Sequence, residues 1–345
     1  MIDSPFVPAN EIWYTTIDGE PIDLSDSSLG EPVSNTYNDG KGVLVFDEPI
    51  ECIEQSAFED CVTLQKIVIS ESVTEIGENA FYRCTSLESI TLPDSVTKIG
   101  DSAFYRCTSL ESITLPDSVT KIGDSAFGCC TSLESITLPD SVTIIGWYAF
   151  TDCTSLKNVT LPDSVTFLGE NAFSGCTSLE SITFSKSVTR IDHYVFNDCS
   201  SLKSITIPES VKDIGVGTFR WCAALESITI PESVTRIGCY AFMGCTSLKN
   251  ITIPKSVTRI EQNAFKGCTS LMNVAIPESV REIEEYAFEG CTSLTTVILP
   301  VGLKEINLTA FYKCPSLSTI YVPAKTTDYY IELLPEKLYD KIVEL

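Results

Sequence analysis

The sequence predicts a repeat solenoid, a coil of short stacked turns with a cap at each end. Three observations predict it. Cysteine recurs at 61, 84, 107, 130, 153, 176, 199, 222, 245, 268, 291 and 314, and every gap is 23 residues. Phenylalanine stands three residues before each of these cysteines, from Phe58 to Phe311, and leucine three residues after, from Leu64 to Leu317. Cys84–Phe104 and Cys107–Phe127 are identical over 21 residues. A unit this short cannot bury its apolar side alone, so copies must stack and seal one another. One inserted residue would push every later column out of register.

The unit 84–106 carries apolar columns at Leu87, Ile90, Leu92, Val96, Ile99, Ala103 and Phe104. The alternation ending Ile90-x-Leu92 predicts a short strand with one face buried. Pro93 ends it, because proline cannot donate to a ladder. Val96–Ile99 predicts a second extended segment. Gly100 marks a turn; seven of twelve copies have glycine there, and Glu54, Asp192, Glu261, Glu284 and Asn307 occupy the rest. Asp101–Arg106 leaves room for one helical or 3₁₀ turn with Phe104 inward.

Open strand edges at the ends of a coil would pair with other chains, so caps are expected. Residues 1–50 predict an acidic N-terminal cap ending in a half-repeat, with Leu44 and Phe46 standing 23 residues before Ile67 and Ile69. Residues 51–323 predict the twelve repeats. Residues 324–345 predict a C-terminal capping helix, since Leu334, Leu338, Ile342 and Leu345 would share one face after Pro335.

The 345 residues include 23 basic and 47 acidic ones, a net charge of −24. Phosphate affinity needs clustered Lys and Arg, so this balance excludes a sequence-independent nucleic-acid or anionic-membrane binder. No apolar run approaches the ~20 residues of a spanning helix. Met1–Asn10 lacks the basic-then-apolar pattern of a signal peptide. Sequons at Asn158, Asn250 and Asn307 matter only on a eukaryotic secretory route. His193 is the single histidine, which leaves little scope for histidine catalysis or multi-histidine metal sites.

The run Leu87-Glu88-Ser89-Ile90-Thr91-Leu92-Pro93, with Ile99-Gly100, Ala103-Phe104 and Cys107 at a period of 23, resembles the BspA-like branch of the leucine-rich repeats. The resemblance covers about residues 42–323. It implies a right-handed coil with strands lining one face and short strands and helical turns elsewhere. The family pattern places Asn or Cys after the strand. Here that site is serine in ten successive turns, Ser72 to Ser279, and the hydroxyls are expected to bond the backbone of the neighbouring turn. The resemblance further implies display at a bacterial surface, outside the cell, and adhesion or binding of macromolecules. It transfers no catalytic residues.

Side chains of stacked cysteines point the same way, a poor disulfide geometry, so the column predicts free, buried thiols. No Cys-x-x-Cys pair or histidine cluster predicts zinc, and no cofactor is expected. The acidic columns Glu88/Glu111/Glu134 and Asp94/Asp117/Asp140/Asp163 read as solvated carboxylates rather than a calcium site. The threonine column from Thr91 to Thr252 reads as β-propensity on an exposed strand. Departures from the consensus are more informative. Trp147, Tyr148, Phe167, His193, Tyr194, Arg220, Trp221, Tyr240 and Met243 collect in turns five to nine, and Tyr148, Tyr194, Tyr240 and Tyr286 recur every 46 residues. Aromatics and arginine anchor interfaces, so Trp147, Tyr148, Phe167, His193, Tyr194, Arg220, Trp221 and Tyr240 are the candidate partner-binding residues. The expected function is non-enzymatic binding of an unidentified protein or glycan. The leading case is a protein partner on the strand face or the aromatic stripe, and the alternative is a carbohydrate on the aromatics.

Overall fold

Short parallel strands, paired in register with their copies one turn away, build the coil. The computed structural model describes residues 6–24 and 28–345. Met1–Pro5, part of the stretch read for a leader, and Ser25–Ser27 of the acidic cap lie outside the described residues. Contacts divide the chain into two units, Met1–Leu179 and Glu180–Leu345.

In the first unit each turn contributes a face strand such as Ser112–Thr114 and a back strand such as Lys121–Ile122. Face strands pair in parallel, with Ser112, Ile113 and Thr114 opposite Ser135, Ile136 and Thr137. Back strands do the same, Ile122 lying between Ile99 and Ile145. The middle residue of each face strand is buried and its neighbours are exposed, the period-two pattern that the sequence predicts. Inside, Phe58, Phe81, Phe104, Phe127, Phe150 and Phe173 stack with centroids 5.1–5.4 Å apart. Stacking of near-parallel rings is forced by the repeat, since every ring has the same backbone frame.

The polar columns close the backbone accounts of the coil. Ser141 Oγ donates to the Val119 carbonyl at 2.6 Å, and Ser164 to Val142 at 2.6 Å, as expected for the serine column. The cysteines do more than fill space. Cys107 Sγ donates to the Phe81 carbonyl at 3.1 Å, and Cys130, Cys153 and Cys176 repeat this bond at the same distance. The Phe81 carbonyl already accepts the Cys84 N–H at 3.2 Å, so the thiol is a second donor to an inward-facing oxygen, supplied by a side chain that is small and apolar. All fifteen cysteines are free.

The second unit repeats this plan. Its rings Phe196, Phe219, Phe242, Phe265, Phe288 and Phe311 stack at 5.3–5.7 Å. Ser233 bonds Val211 and Cys245 bonds Phe219 in the same way.

Eleven of the twelve turns round their corner through two left-handed residues, five and one before the cysteine; the last keeps Lys313 without Thr309. In the turn ending at Cys107 they are Ser102 (φ 53°) and Arg106 (φ 60°). These backbone reversals make the corner a run of turns. The glycine column is more constrained than a tolerant turn. A Cβ on Gly123 would meet the backbone of Gly100 at 2.5 Å, so here the coil needs close backbone approach.

Both caps differ from expectation. β1 (Glu11–Thr16), β2 (Ser34–Asn38) and β3 (Lys41–Val45) form an antiparallel set. β1 stands between β3 and the first face strand, pairing Ile12 with Ile69 and Tyr14 with Ile67. Leu44 and Phe46 therefore do not stack on Ile67 and Ile69. The sequence echo is present, but an antiparallel strand takes the place beside the coil. Gly42 is required there, because a Cβ would strike the Tyr14 ring at 2.1 Å. At the other end, the capping helix falls before Pro335 rather than after it. α1 spans Thr327–Leu333, and a 3₁₀ segment Glu336–Lys341 follows. The chain then returns as β4 (Ile342–Glu344), parallel to Thr319–Val322. Leu334 and Leu338 are buried, whereas Leu345 is exposed. Pro335 stops the helix because its ring and missing N–H cannot continue one.

Candidate aromatic corner

Most of the sequence-singled residues stand at the corner of the coil. Trp147 and Tyr148, His193 and Tyr194, and Tyr240 hold the sixth and fifth places before their cysteines; Arg220 and Trp221 hold the second and first. Phe167 is elsewhere: it lies in the back strand Phe167–Leu168, paired with Ile144. The corner also explains the 46-residue tyrosine spacing. Tyr148, Tyr194, Tyr240 and Tyr286 all occupy the left-handed site, with φ of 56–60°. A bulky residue is unfavourable there, and the intervening turns carry Asn171, Gly217 and Asn263.

At one of these tyrosines the packing is explicit. In the second unit the Tyr194 ring fills the space that a Cβ of Gly217 would need, 2.3 Å away. Trp221 stands over Gly244 in the same manner at 2.3 Å, and in the first unit Trp147 stands over Gly169 at 2.7 Å. Each ring thus covers the next turn's bare backbone and requires a small residue beneath it. The covering is incomplete. Trp147 is 52% exposed, Tyr148 44%, Phe167 41% and Trp221 44%. The Arg220 guanidinium carbon lies 5.9 Å from the Trp221 ring centroid, and its Nε is buried without a hydrogen-bond partner among the described residues.

His193 is committed to the fold. Its Nδ1 accepts a hydrogen bond from the Val216 N–H at 2.8 Å, the place that the Asp124 carboxylate takes toward Trp147 N–H in the first unit. Its Nε2 is 3.7 Å from the Asp192 carboxylate. Cys239 occupies the same corner column. Burial first, and then the Glu261 carboxylate it bonds, push its thiol up to about 11, so it stays protonated near neutrality. No group of three or more His, Cys, Asp or Glu among the described residues is arranged to hold a metal ion. No helix among them is long and apolar enough to cross a membrane.

These features define a class: a leucine-rich-repeat solenoid, with a strand-lined face, a sealed aromatic interior and a decorated corner. The chain matches the BspA type leucine rich repeat region in six copies, across residues 43–143, 120–222 and 212–332. It belongs to that family. A leucine-rich repeat protein from Bacteroides ovatus ATCC 8483 is 32% identical, with 99% of this chain and all of that one covered and a TM-score of 0.61. A leucine rich cell surface protein from Faecalibacterium prausnitzii A2-165 is 30% identical, over 93% and 95% of the two chains, with a TM-score of 0.55. The pneumococcal vaccine antigen PcpA shares the fold at 22% identity, over 90% and 87%, with a TM-score of 0.58. No curated protein matches the sequence.

Proposed function

We propose that this protein is a non-enzymatic binding protein of the bacterial surface that engages a protein partner through exposed aromatics of the corner and the adjoining back strand. Family membership supports a binding role, and a cell-surface relative supports the location. The observation that carries the reading is the exposure of Trp147, Tyr148 and Phe167, at 41–52%, in two successive turns of one unit. Large rings held by the backbone beneath them lose little conformational freedom on binding, which is why they anchor interfaces.

Adhesion of protein-coated beads to intact cells tests it. Trp147→Ala/Phe167→Ala should reduce attachment by an order of magnitude or more, about the loss of one anchor residue. Protease treatment of the cells should abolish it. Attachment that survives both would sink the reading. A carbohydrate ligand is the second reading, favoured by the arginine-flanked Trp221 ring. Glycan-array binding lost in Tyr194→Ala/Trp221→Ala would establish it instead.

A further inference from the structure

The two units repeat one plan of turn but differ in charge. Residues 1–179 carry seven Lys and Arg against 28 Asp and Glu, a net of −21. Residues 180–345 carry 16 against 19, a net of −3. On the strand-lined face of the first unit part of this excess is ordered into two rims. Glu88, Glu111 and Glu134 lie just before the face strands, and Asp94, Asp117 and Asp140 just after them, all exposed. Glu134 pairs with Lys157 and Glu88 accepts a bond from Gln65. Glu111, Asp94, Asp117 and Asp140 have no hydrogen bond or ion pair with their side chains among the described residues.

The second unit serves as an internal control. Its same two columns mix both signs: Glu180, Lys203, Glu226 and Lys249 on one side, and Lys186, Glu209, Glu232, Lys255 and Glu278 on the other. Lys203 bridges Glu180 at 2.8 Å and Lys249 bridges Glu226 at 2.9 Å. The coil therefore does not need carboxylates at these positions. A column of one sign repels itself at one-turn spacing, so the acidic rims work against the fold that holds them.

Between the rims lies an uncharged floor. Ser112, Thr114, Ser135, Thr137, Asn158 and Thr160 are exposed. A shallow cavity of about 260 Å³ opens over Thr137, Asp140, Asn158 and Thr160. The floor is three strand residues wide, roughly 10 Å, which admits one extended chain whose successive side chains point to opposite sides. We infer that the strand-lined face of the first unit is a docking trough for a basic, extended protein segment. Lysine or arginine side chains meet the two carboxylate rims, and hydroxyls of the floor meet the backbone. None of these residues belongs to the aromatic corner, so this trough and the proposed aromatic site stand or fall separately.

Calorimetry at low salt with a synthetic peptide of alternating lysine and serine tests the inference. The wild-type chain should bind it, and a glutamate–serine peptide should not bind. Glu111→Lys/Asp117→Lys/Asp140→Lys should weaken binding at least tenfold. Lysine already occupies both columns in the second unit, and unchanged circular dichroism checks that the variant folds. Glu48→Lys/Glu51→Lys/Glu59→Lys changes net charge equally away from the face and should weaken binding less than about threefold. Equal weakening in both variants, no binding by the wild type, or binding of chitosan oligomers in place of the peptide would overturn it.

Discussion

The strand-lined faces of the two units are one surface built twice with different rims. Both have exposed Ser or Asn and Thr on the floor, Ser112 and Thr114 in one, Ser204 and Thr206 in the other. Both rest on the same file of phenylalanine, cysteine and leucine. Only the flanking charges differ, of mixed sign in the second unit and mostly acidic in the first. The interior is thus indifferent to the rim, and the rim is free to be set by what approaches from outside.

That separation can be broken in three ways. The largest effect is alkaline. Burial pushes the Cys268 thiol up to about 12, and holds Cys84, Cys107, Cys245 and Cys291 well above the ordinary range. A thiol with a raised folded pKa contributes fully below its unfolded value near 9. Above that, the unfolded chain loses a proton that the folded chain keeps. Each such thiol should then lose about 1.4 kcal/mol of stability per pH unit. Denaturant midpoints should fall steeply between about pH 9 and 11, with hydrogen exchange rising in both units together. Loss confined to one unit would mean that the interiors are not equivalent.

Next, Phe127→Ala and Phe242→Ala should each cost about 3–5 kcal/mol in denaturant melts, because both remove a fully buried ring from a stacked file. Unequal costs, or values under about 1 kcal/mol, would undo the claim of a common core. The smallest effect sharpens the difference. Raising salt from about 0.05 to 0.5 M should protect amides of residues 51–179 by on the order of 1 kcal/mol, by screening like charges. Amides of 180–345, whose rims mix both signs, should gain less. Equal gains would show that the unpaired rims carry no strain.

Much of the fold was legible in the chain. The 23-residue spacing of Phe, Cys and Leu named the interior, because only residues facing a copy of themselves must repeat so strictly. The serine column was expected to bond the neighbouring turn's backbone, and the structure supplies the partners, the Val119 carbonyl for Ser141 and the Val142 carbonyl for Ser164. The caps were not legible in this way. Leu44 and Phe46 keep the repeat's spacing, yet β1 enters from the other direction and takes the ladder bonds of Ile67 and Ile69. Leu338 and Ile342 fit a helical face as well as they fit a 3₁₀ turn followed by a strand, and only Pro335 and the open edge of Thr319–Val322 decide between them. The aromatic corner was half legible. Its residues stood out as departures from the consensus, but the seating of Tyr194 over Gly217 and of Trp221 over Gly244 in the next turn needed the coil to be wound.

A repeat carries its own alignment, so the order of columns, the buried side and the turn length were all determined by the chain of letters. What the tertiary structure alone decided was which columns share a surface. Glu111 and Asp117 are six residues apart and belong to different turns of phrase in the repeat, yet the strand between them makes them opposite rims of one trough. His193 could have been a base until Val216, a full turn later, was found to occupy its nitrogen. Periodicity specifies what is stacked along the coil; neighbours across it depend on the path of the backbone around each corner, and that path is set by left-handed residues whose side chains do not announce it.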